Sequence, residues 1–345
     1  MHTLHAEKNM SRVTIKDIAA RLSVSPSTVS RALEDHPTIS EKTKARVREL
    51  AEALNYTKNL RASSFRNRKS GLVALIVPEM NMYFIPELIN GVNAAAEKNN
   101  VSVIVLQSDN SLEKEKKLLK YCLGLSIDGV LICLSEESEN DDHIHEIIGD
   151  HIPVIMVDKI VDSESIGSVS IDDVETASKA ADYLISMGHT QVLGLFGNPA
   201  LSITKSRKKG FLEAYTKHGT LISSTLIREI PNILEFDLLV ESAFQSDIKF
   251  SAVFCMSDEL LMYAYHMILK SGLRIPEDCS LFAISDGIIP YALHPNISHI
   301  HHSGYEIGIR GLNLLTEALQ NRPAPVTPIY LQTKLCEMDS VSRSF

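Results

Sequence analysis

Two kinds of hydrophobic spacing divide the chain. Over residues 15–22 the apolar positions recur three and four residues apart, which is the spacing of one face of a helix. After residue 71, continuous apolar runs such as 72–78 and 101–108 alternate with helical stretches such as 84–100. This alternation is typical of parallel sheets with helices on both faces. The pattern predicts an all-α N-terminal head followed by an α/β body of two parallel-sheet lobes.

The head is predicted to contain three helices. The first begins near Thr14, and the third begins after Ser40. Ser25 followed by Pro26 indicates the start of the second helix, because serine caps free backbone N–H groups and proline suits the first helical position. With a tight turn between the first two helices, the head is predicted to be a helix-turn-helix.

The second helix has the chemistry of a helix that reads DNA. Residues 24–33 are VSPSTVSRAL, and if the apolar residues face inward, small and basic side chains face outward. These are Pro26, Ser27, Ser30 and Arg31. In a helix-turn-helix the second helix enters the major groove, where arginine can pair with guanine and small residues allow close approach. A capped surface helix of a small bundle is the alternative.

The charge distribution supports the nucleic-acid interpretation. The whole chain of 345 residues has a net charge of −9. Residues 12–69 hold thirteen basic and six acidic residues, a net charge of +7, whereas residues 71–345 carry −16. A basic head on an acidic body is expected of a module that binds nucleic acid or an anionic membrane.

Several features indicate a cytoplasmic protein without a membrane partner. No apolar run approaches the roughly 20 residues needed to cross a bilayer, and the N-terminus has no secretion signal. The five cysteines are scattered and form no CxxC pair, which predicts buried reduced thiols.

The segment VTIKDIAARLSVSPSTVSRALEDHPTISEKTKARVRELAEALNY, residues 13–56, resembles the DNA-binding head of the lactose-repressor (LacI) family of bacterial transcription regulators. The resemblance continues through almost the whole chain. It implies a DNA-binding domain at 12–57, a hinge at 58–70, and a homodimer whose paired heads bind near-palindromic double-stranded operator DNA. DNA contacts are then expected from Thr14, Ser25, Pro26, Ser27, Thr28, Ser30, Arg31, Asn59, Ala62 and Phe65.

The hinge departs from the family pattern at two positions. Phe65 stands where the family typically has a leucine that wedges between bases, and phenylalanine can fill that role in the minor groove. Lys58 stands where proline is usual, which loosens the entry to the hinge. A plain flexible linker is the alternative for residues 58–70.

The resemblance implies that residues 71–338 form a periplasmic-binding-protein-like body that holds ligand between its lobes. Crossings are expected near Val169, Ile300 and Arg322. Lobe 1 would then contain residues 71–169 and 300–322, and lobe 2 residues 170–299 and 323–338. Effector contacts are expected from Tyr83, Phe84, Asp158, Arg207, Phe254, Ser257, Ser285 and Asp286.

Two polar positions of the cleft differ from the family. Ser285 stands where the family usually has an aspartate that binds ligand hydroxyls, with Asp286 beside it, and Ser257 stands where asparagine is frequent. The grip on a sugar is therefore weaker or shifted to Asp286. A sugar or sugar derivative is the predicted ligand, and a vestigial, ligand-independent cleft is the alternative.

Other classes of protein have less support. The enzyme motifs GxGxxG, GxxxxGK[ST] and GxSxG are missing, and the head argues against a secreted solute-binding protein. His299 and His301 could share one strand face and bind a metal, but ordinary packing is the favoured interpretation. We therefore predict a cytoplasmic, ligand-responsive repressor that is not an enzyme and has no cofactor and no metal.

Overall fold

The computed structural model describes most of the chain, namely residues 13–54, 56, 70–80, 84–148, 152–245, 249–320 and 325–344. The chain divides into two compact units, residues 1–70 and residues 71–345. No helix within the described ranges combines the length and the hydropathy needed to cross a membrane.

Three helices form the described part of the first unit, which confirms the predicted helical head. They are α1 Ile15–Leu22, α2 Pro26–Leu33 and α3 Glu41–Ala53. Each starts at a hydroxyl side chain, of Thr14, Ser25 or Ser40, that accepts a hydrogen bond from the backbone N–H three residues later. This capping satisfies a donor that the helix itself cannot satisfy. The helices enclose a small core of Ile18, Ala19, Val29, Ala32, Val47 and Ala51.

Twelve strands are found in the described part of the second unit. They are β1 Leu72–Val77, β2 Ser102–Gln107, β3 Gly129–Ile132, β4 Val154–Val157, β5 Gly167–Ile171, β6 Val192–Phe196, β7 Ile227–Glu229, β8 Ala252–Cys255, β9 Ser280–Ser285, β10 Ser298–His301, β11 Ile329–Leu331 and β12 Lys334–Cys336. The first sheet has the order β11-β5-β4-β3-β1-β2, and the second has the order β12-β10-β9-β8-β6-β7. All neighbours are parallel except β10 and β12, which are antiparallel.

Helices cover both faces of both sheets. They are α4 Phe84–Asn99, α5 Leu112–Gly124, α6 Asp142–Ile148, α7 Asp173–Ser186, α8 Ser202–Lys217, α9 Phe236–Phe244, α10 Asp258–Lys270, α11 Ile289–Ala292 and α12 Gly304–Leu319. One face of the first sheet packs on α4 and α12, and the other face packs on α5 and α6. The second sheet lies within one larger core. The two-lobe α/β body is therefore confirmed.

The chain crosses between the lobes later than expected at two of three points. β5 extends to Ile171 within the first sheet, so the first crossing follows that residue rather than Val169. The return follows His301, close to the expected Ile300. The expected crossing near Arg322 is wrong, because β11 pairs with β5 in the first sheet and the chain reaches the second sheet only at β12. Proline-rich composition marked a loop at that point, but sheet pairing decides which lobe the next strand joins.

The cysteines of the described residues are all free thiols. Four are buried, and Cys336 is partly exposed. The expectation of buried thiols therefore holds for four of the five.

Candidate DNA-binding helix and ligand cleft

The N-terminal half of α2 presents small polar groups and one arginine to solvent. Pro26, Ser27 and Arg31 are exposed. The Ser25 Oγ accepts a hydrogen bond from the Thr28 N–H at 3.1 Å and lies 2.7 Å from the Ser27 hydroxyl. The cap therefore holds the start of the helix and the Ser27 side chain in a defined geometry before any ligand arrives.

Ser30 is a correction to the sequence-based expectation. It was expected to face outward, but only 8% of it is exposed, beside Val29 and Ala32. Because α2 packs against both α1 and α3, its inner face is wide enough to include position 30. Thr28 is half-buried, and its Oγ1 lies 2.8 Å from the Ser25 Oγ, so its hydroxyl supports the cap.

Thr14 is exposed at the N-terminus of α1, a position that favours phosphate oxygens. Its N–H and hydroxyl both donate to the Asp17 Oδ2, at 2.8 and 2.7 Å. These hydrogen bonds hold the pKa of Asp17 below its usual value. A phosphate at Thr14 would therefore have to share donors that the Asp17 carboxylate already uses.

Some basic residues of the head have a structural role. Only 5% of Lys44 is exposed, and its Nζ lies 2.7 Å from Glu41 and 3.0 Å from Asp35. Arg48 also contacts Asp35, at 2.8 Å. These ion pairs tie α3 to the loop after α2, so Lys44 and Arg48 add little to a DNA-facing charge.

Four predicted contact residues, Asn59, Ala62, Phe65 and Tyr83, lie outside the described residues. Their proposed roles in the hinge and the cleft therefore remain sequence-based expectations.

A cavity of about 500 Å³ lies between the two lobes of residues 71–345. The segments that follow strands of both sheets line it, so it lies at the carboxyl ends of the strands, where open α/β sheets bind ligands. Its size is within the usual range of small-molecule sites. The side chains that characterise it are Phe84, Asp158, Arg207, Asp258, Asp286 and His302.

Arg207 is buried in α8 and held from two sides. Only 4% of it is exposed. Its Nε donates to the Asp173 Oδ1 at 2.8 Å, and its Nη1 donates to the Met256 carbonyl oxygen at 2.5 Å. Among the described residues Nη2 makes no hydrogen bond. The guanidinium is therefore fixed in orientation at the cavity, with Nη2 as the group that can donate to a ligand.

Asp158 follows β4 in a left-handed backbone conformation, with φ of 63°. Few residues other than glycine adopt this conformation, and aspartate is one of the better tolerated. Its N–H donates to the Val169 carbonyl oxygen, and the Cys133 thiol donates to its carboxylate at 3.6 Å. Burial raises the pKa of Asp158 to about 6. Strained backbone that presents a buried acid is frequent at functional sites.

Asp258 and Asp286 form a pair of neighbouring acids in the second lobe. The Asp286 N–H donates to the Asp258 Oδ2 at 3.2 Å. Burial, together with the negative charge of Asp286, raises the pKa of Asp258 to about 7. Burial likewise raises the pKa of Asp286. Near neutral pH the pair therefore holds a proton that two exposed aspartates would have released.

Five buried polar atoms at the cavity have no hydrogen-bond partner among the described residues: the Thr204 Oγ1, the His302 Nδ1, the Asp258 Oδ1 and both carboxylate oxygens of Asp286. Burial lowers the pKa of His302 well below its usual value, and the nearby Arg207 charge lowers it further, so the imidazole is neutral. The His302 ring lies 5.3 Å from the Phe84 ring. Buried polar atoms are nearly always paired, so these five indicate where a ligand would bind.

Two other predicted effector contacts do not line the cavity. Phe254 is fully buried and stacks on Phe211 with ring centroids 4.4 Å apart; the central strand β8 directs it into the core. Ser285 is 1% exposed, and its hydroxyl accepts a hydrogen bond from the Gly287 N–H. Ser257 does line the cavity, and its hydroxyl also caps α10 by accepting from the Leu260 N–H.

Sequence reasoning missed Asp258, Thr204 and His302 as site residues. Asp258 directly follows the predicted contact Ser257 at the end of a strand, which was a usable signal. His302 directly follows His301 in the sequence, but the alternation of histidines pointed only to His299 and His301. Nothing in the sequence marked Thr204, because only the packing of α8 against the cavity buries its hydroxyl.

His299 and His301 lie in β10, and the buried His299 Nε2 has no hydrogen-bond partner among the described residues. His299 is fully buried, and its Nδ1 lies 2.8 Å from the Ile297 carbonyl oxygen. Its ring lies 6.1 Å from that of His301. No group of three or more potential metal ligands occurs within the part of the chain that the structure describes.

Two family models match parts of the chain. Residues 70–288 match the model described as periplasmic binding proteins and sugar binding domain of LacI family. Residues 14–59 match the model described as bacterial regulatory proteins, lacI family. The second match lies within the first compact unit, and the first match covers most of the second unit.

Similar proteins are transcription regulators. Catabolite control protein A of Priestia megaterium is 27% identical over 325 residues, which cover 94% of this chain and 97% of the relative. The probable HTH-type transcriptional repressor ExuR of Bacillus subtilis (strain 168) is 29% identical over 343 residues, covering 96% and 99%. The crystal structure of the Lac repressor dimer bound to operator and the anti-inducer ONPF is 19% identical with a TM-score of 0.85, covering 96% of this chain and all of that one. The last likeness supports the fold.

Proposed function

Because the chain belongs to the lacI family of bacterial regulatory proteins, we propose that it represses transcription and that a small molecule in the cleft sets its affinity for operator DNA. The supporting observation is the combination, in one chain, of a capped and exposed reading helix with a polar cleft between two lobes. In this proposal residues 12–57 bind DNA, residues 58–70 form the hinge, and residues 71–338 bind ligand and a second copy of the chain.

Operator reading is assigned to the exposed start of α2. Arg31 pairs with a base edge in the major groove, and the small side chains of Pro26 and Ser27 allow the helix to approach the bases. Two heads of a homodimer would read the two halves of a near-palindromic operator. Phe65 is proposed as the apolar wedge in the minor groove between the half-sites.

Effector binding is assigned to the cavity between the lobes. Arg207 would donate from Nη2, the acids Asp158 and Asp286 would bind hydroxyl or amino groups, and Phe84 would contact an apolar face of the ligand. Ser285 is proposed to position the acid pair rather than to touch the ligand, since it does not line the cavity. A sugar or a sugar derivative is the proposed ligand.

Coupling requires two arrangements of the lobes that differ in their fit to operator DNA. The ligand shifts the population only as far as its affinity differs between these arrangements. The two binding events are then linked reciprocally: operator DNA must change ligand affinity by the same factor as ligand changes operator affinity. We further propose that the protein acts in the cytoplasm, where DNA is, and catalyses no reaction.

The primary test is operator binding by the full-length protein. Fluorescence anisotropy with intergenic DNA from the protein's own locus would be measured at two salt concentrations, with random duplex as competitor. Specific binding should exceed random binding by about a thousandfold or more. Equal loss of binding to all sequences with salt would indicate only contacts to phosphate and would refute the proposal.

A matched pair of variants tests the reading helix. Arg31→Ala should weaken operator binding by about 1–3 kcal/mol with little change on random duplex. Arg46→Ala removes the same charge from an exposed position of α3 and should weaken binding to operator and to random duplex by the same factor.

If operator affinity never responds to any bound ligand, the alternative of a ligand-independent cleft is correct.

A further inference from the structure

We infer that the effector is a hydroxylated amine, such as an amino sugar, rather than a neutral or an acidic sugar. This inference rests on the proposed function, because it names the ligand class of the same cleft. It follows from the charges that line the cavity and from the unpaired polar atoms among them.

Acidic side chains from both lobes line the cavity. They are Glu79, Glu136 and Asp158 from the first lobe and Asp258, Glu259 and Asp286 from the second. Five of them are half-buried and Glu259 is more exposed than the rest, and loss of hydration without a partner penalises the charged form of a carboxylate. Within the part of the chain that the structure describes, these six acids face only two cations at the cavity of about 500 Å³, Lys159 and Arg207. The site is therefore negative even though the Asp258–Asp286 pair holds a proton near neutral pH.

The cations at the cavity are already engaged. The Lys159 Nζ lies 3.1 Å from the Glu136 carboxylate, and the Arg207 Nε lies 2.8 Å from the Asp173 carboxylate. Among the described residues the other five acids of the cavity form no ion pair. The protein therefore offers little uncompensated positive charge to an anionic ligand, although Arg207 retains a donor.

Some of these acids oppose each other across the two lobes. Burial raises the pKa of Glu259, and the charges of Glu79 and Glu136 on the other lobe raise it further. Closing the lobes around a neutral ligand concentrates like charges, and a carboxylate ligand adds one more. An ammonium group between the lobes reverses the sign of these interactions, which are strongest where water is excluded.

The orphan polar atoms indicate that the ligand also carries hydroxyl groups. The Thr204 Oγ1 and the neutral His302 Nδ1 are both more than nine-tenths buried and face no hydrogen-bond partner among the described residues. Phe84 lines the same cavity and offers an apolar surface, as expected for contact with the C–H face of a sugar ring. A bare metal ion or a simple amine would leave these three features unused.

The test compares matched sugars by isothermal titration calorimetry with the full-length protein at neutral pH. Each series contains an amino sugar, the neutral hexose and the hexuronate, in the gluco, galacto and manno configurations. In at least one series we expect the amine to bind at least about tenfold more tightly than both other members, which corresponds to about 1.4 kcal/mol. A neutral or acidic member that binds most tightly overturns the inference. So does the failure of every amine to bind with a Kd below about 10 mM.

Variants locate the preference in the cleft acids. Asp286→Asn and Glu259→Gln should each reduce the preference for the amine over the neutral hexose by about tenfold. Asp278→Asn removes an exposed acid of the same lobe that pairs with Arg274 outside the cavity, and it should leave the preference unchanged. An amine preference that survives both cleft substitutions overturns the assignment to these acids. Thermal unfolding of each variant verifies that it is folded.

Operator binding of the same preparations separates this inference from the proposed function. If specific DNA binding is intact and no amine is preferred, only the ligand class is wrong. If specific DNA binding is missing, the proposed regulator itself is wrong.

Discussion

Replacing Asp258 by asparagine should stabilise the second unit at neutral pH. The pKa of Asp258 is raised from 3.8 to about 7, chiefly by burial. Folding therefore opposes the ionisation of this group. Asparagine has nearly the same shape and cannot ionise, so Asp258→Asn removes that opposition.

The sign and size follow from proton linkage. The folded protein keeps this proton to a higher pH than the unfolded chain, so between about pH 4 and 7 the folded state binds more protons and stability falls as pH rises. A shift of about three pKa units corresponds to about 4 kcal/mol at most, reached above pH 7. For a unit of this size the melting temperature would rise by roughly 5–10 °C at pH 8.

The assay is thermal unfolding of the full-length protein, measured by scanning calorimetry at a series of pH values from 4 to 9, without DNA or ligand. The advantage of Asp258→Asn over wild type should be near zero at pH 4 and should grow through pH 7. Asp278→Asn is the matched control, because Arg274 lowers the pKa of Asp278 to about 2. That control should lose some stability at neutral pH and converge with wild type only at low pH. A pH-independent effect of Asp258→Asn, or a loss of stability at pH 8, would refute the reasoning.

Three further substitutions, one of them with a matched control, test the packing. Ser25→Ala removes the cap of α2 and should lower the stability of this helix by about 1 kcal/mol. The amides of α2 should then exchange hydrogen roughly fivefold faster. Unchanged exchange would contradict the role of the cap. Gly308→Ala would place a Cβ 2.3 Å from the Leu88 carbonyl oxygen and should destabilise the second unit by about 1–3 kcal/mol. In the control Gly124→Ala the new Cβ meets nothing within 4 Å, so this variant should be neutral or slightly stabilised. Equal melting temperatures of the two variants would contradict the close helix packing. Phe254→Ala should cost about 3–5 kcal/mol in denaturant unfolding, and a small cost with a selective loss of ligand binding would restore it as a cleft wall.

The acid pair Asp258–Asp286 should respond differently to a cationic ligand and to a neutral one. Asp258 and Asp286 reduce stability at neutral pH without a positive partner in the described protein, and such groups are typical of binding and catalytic sites. A cationic ligand would favour the ionised form of the pair. Its binding should therefore release protons, whereas a neutral sugar should not, and calorimetry in buffers of different ionisation enthalpy distinguishes the two.

The elements of both units could be predicted from the sequence because their signals are local. The hydroxyl caps before α1, α2 and α3, the helical spacing of the head and the apolar runs of the longer strands all act within a few residues. Short strands carry no such local signal: β5 reads GSVSI, and β11 and β12 have three residues each. Such segments become strands through pairing with a neighbour, not through their own composition.

What only the tertiary structure decided is the set of residues that face one another. Ser30 is buried because two helices pack on α2, and Phe254 points to the core because β8 is covered on both faces. Asp258 and Asp286 lie 28 residues apart along the chain and meet because β8 and β9 are neighbours in the sheet. Sheet order and lobe closure are set by contacts between distant segments, and no local pattern records them. The sequence therefore indicated the candidate DNA-reading residues and part of the candidate cleft. The fold determined which of them are brought together, which are buried, and which further residues, such as Thr204, join them.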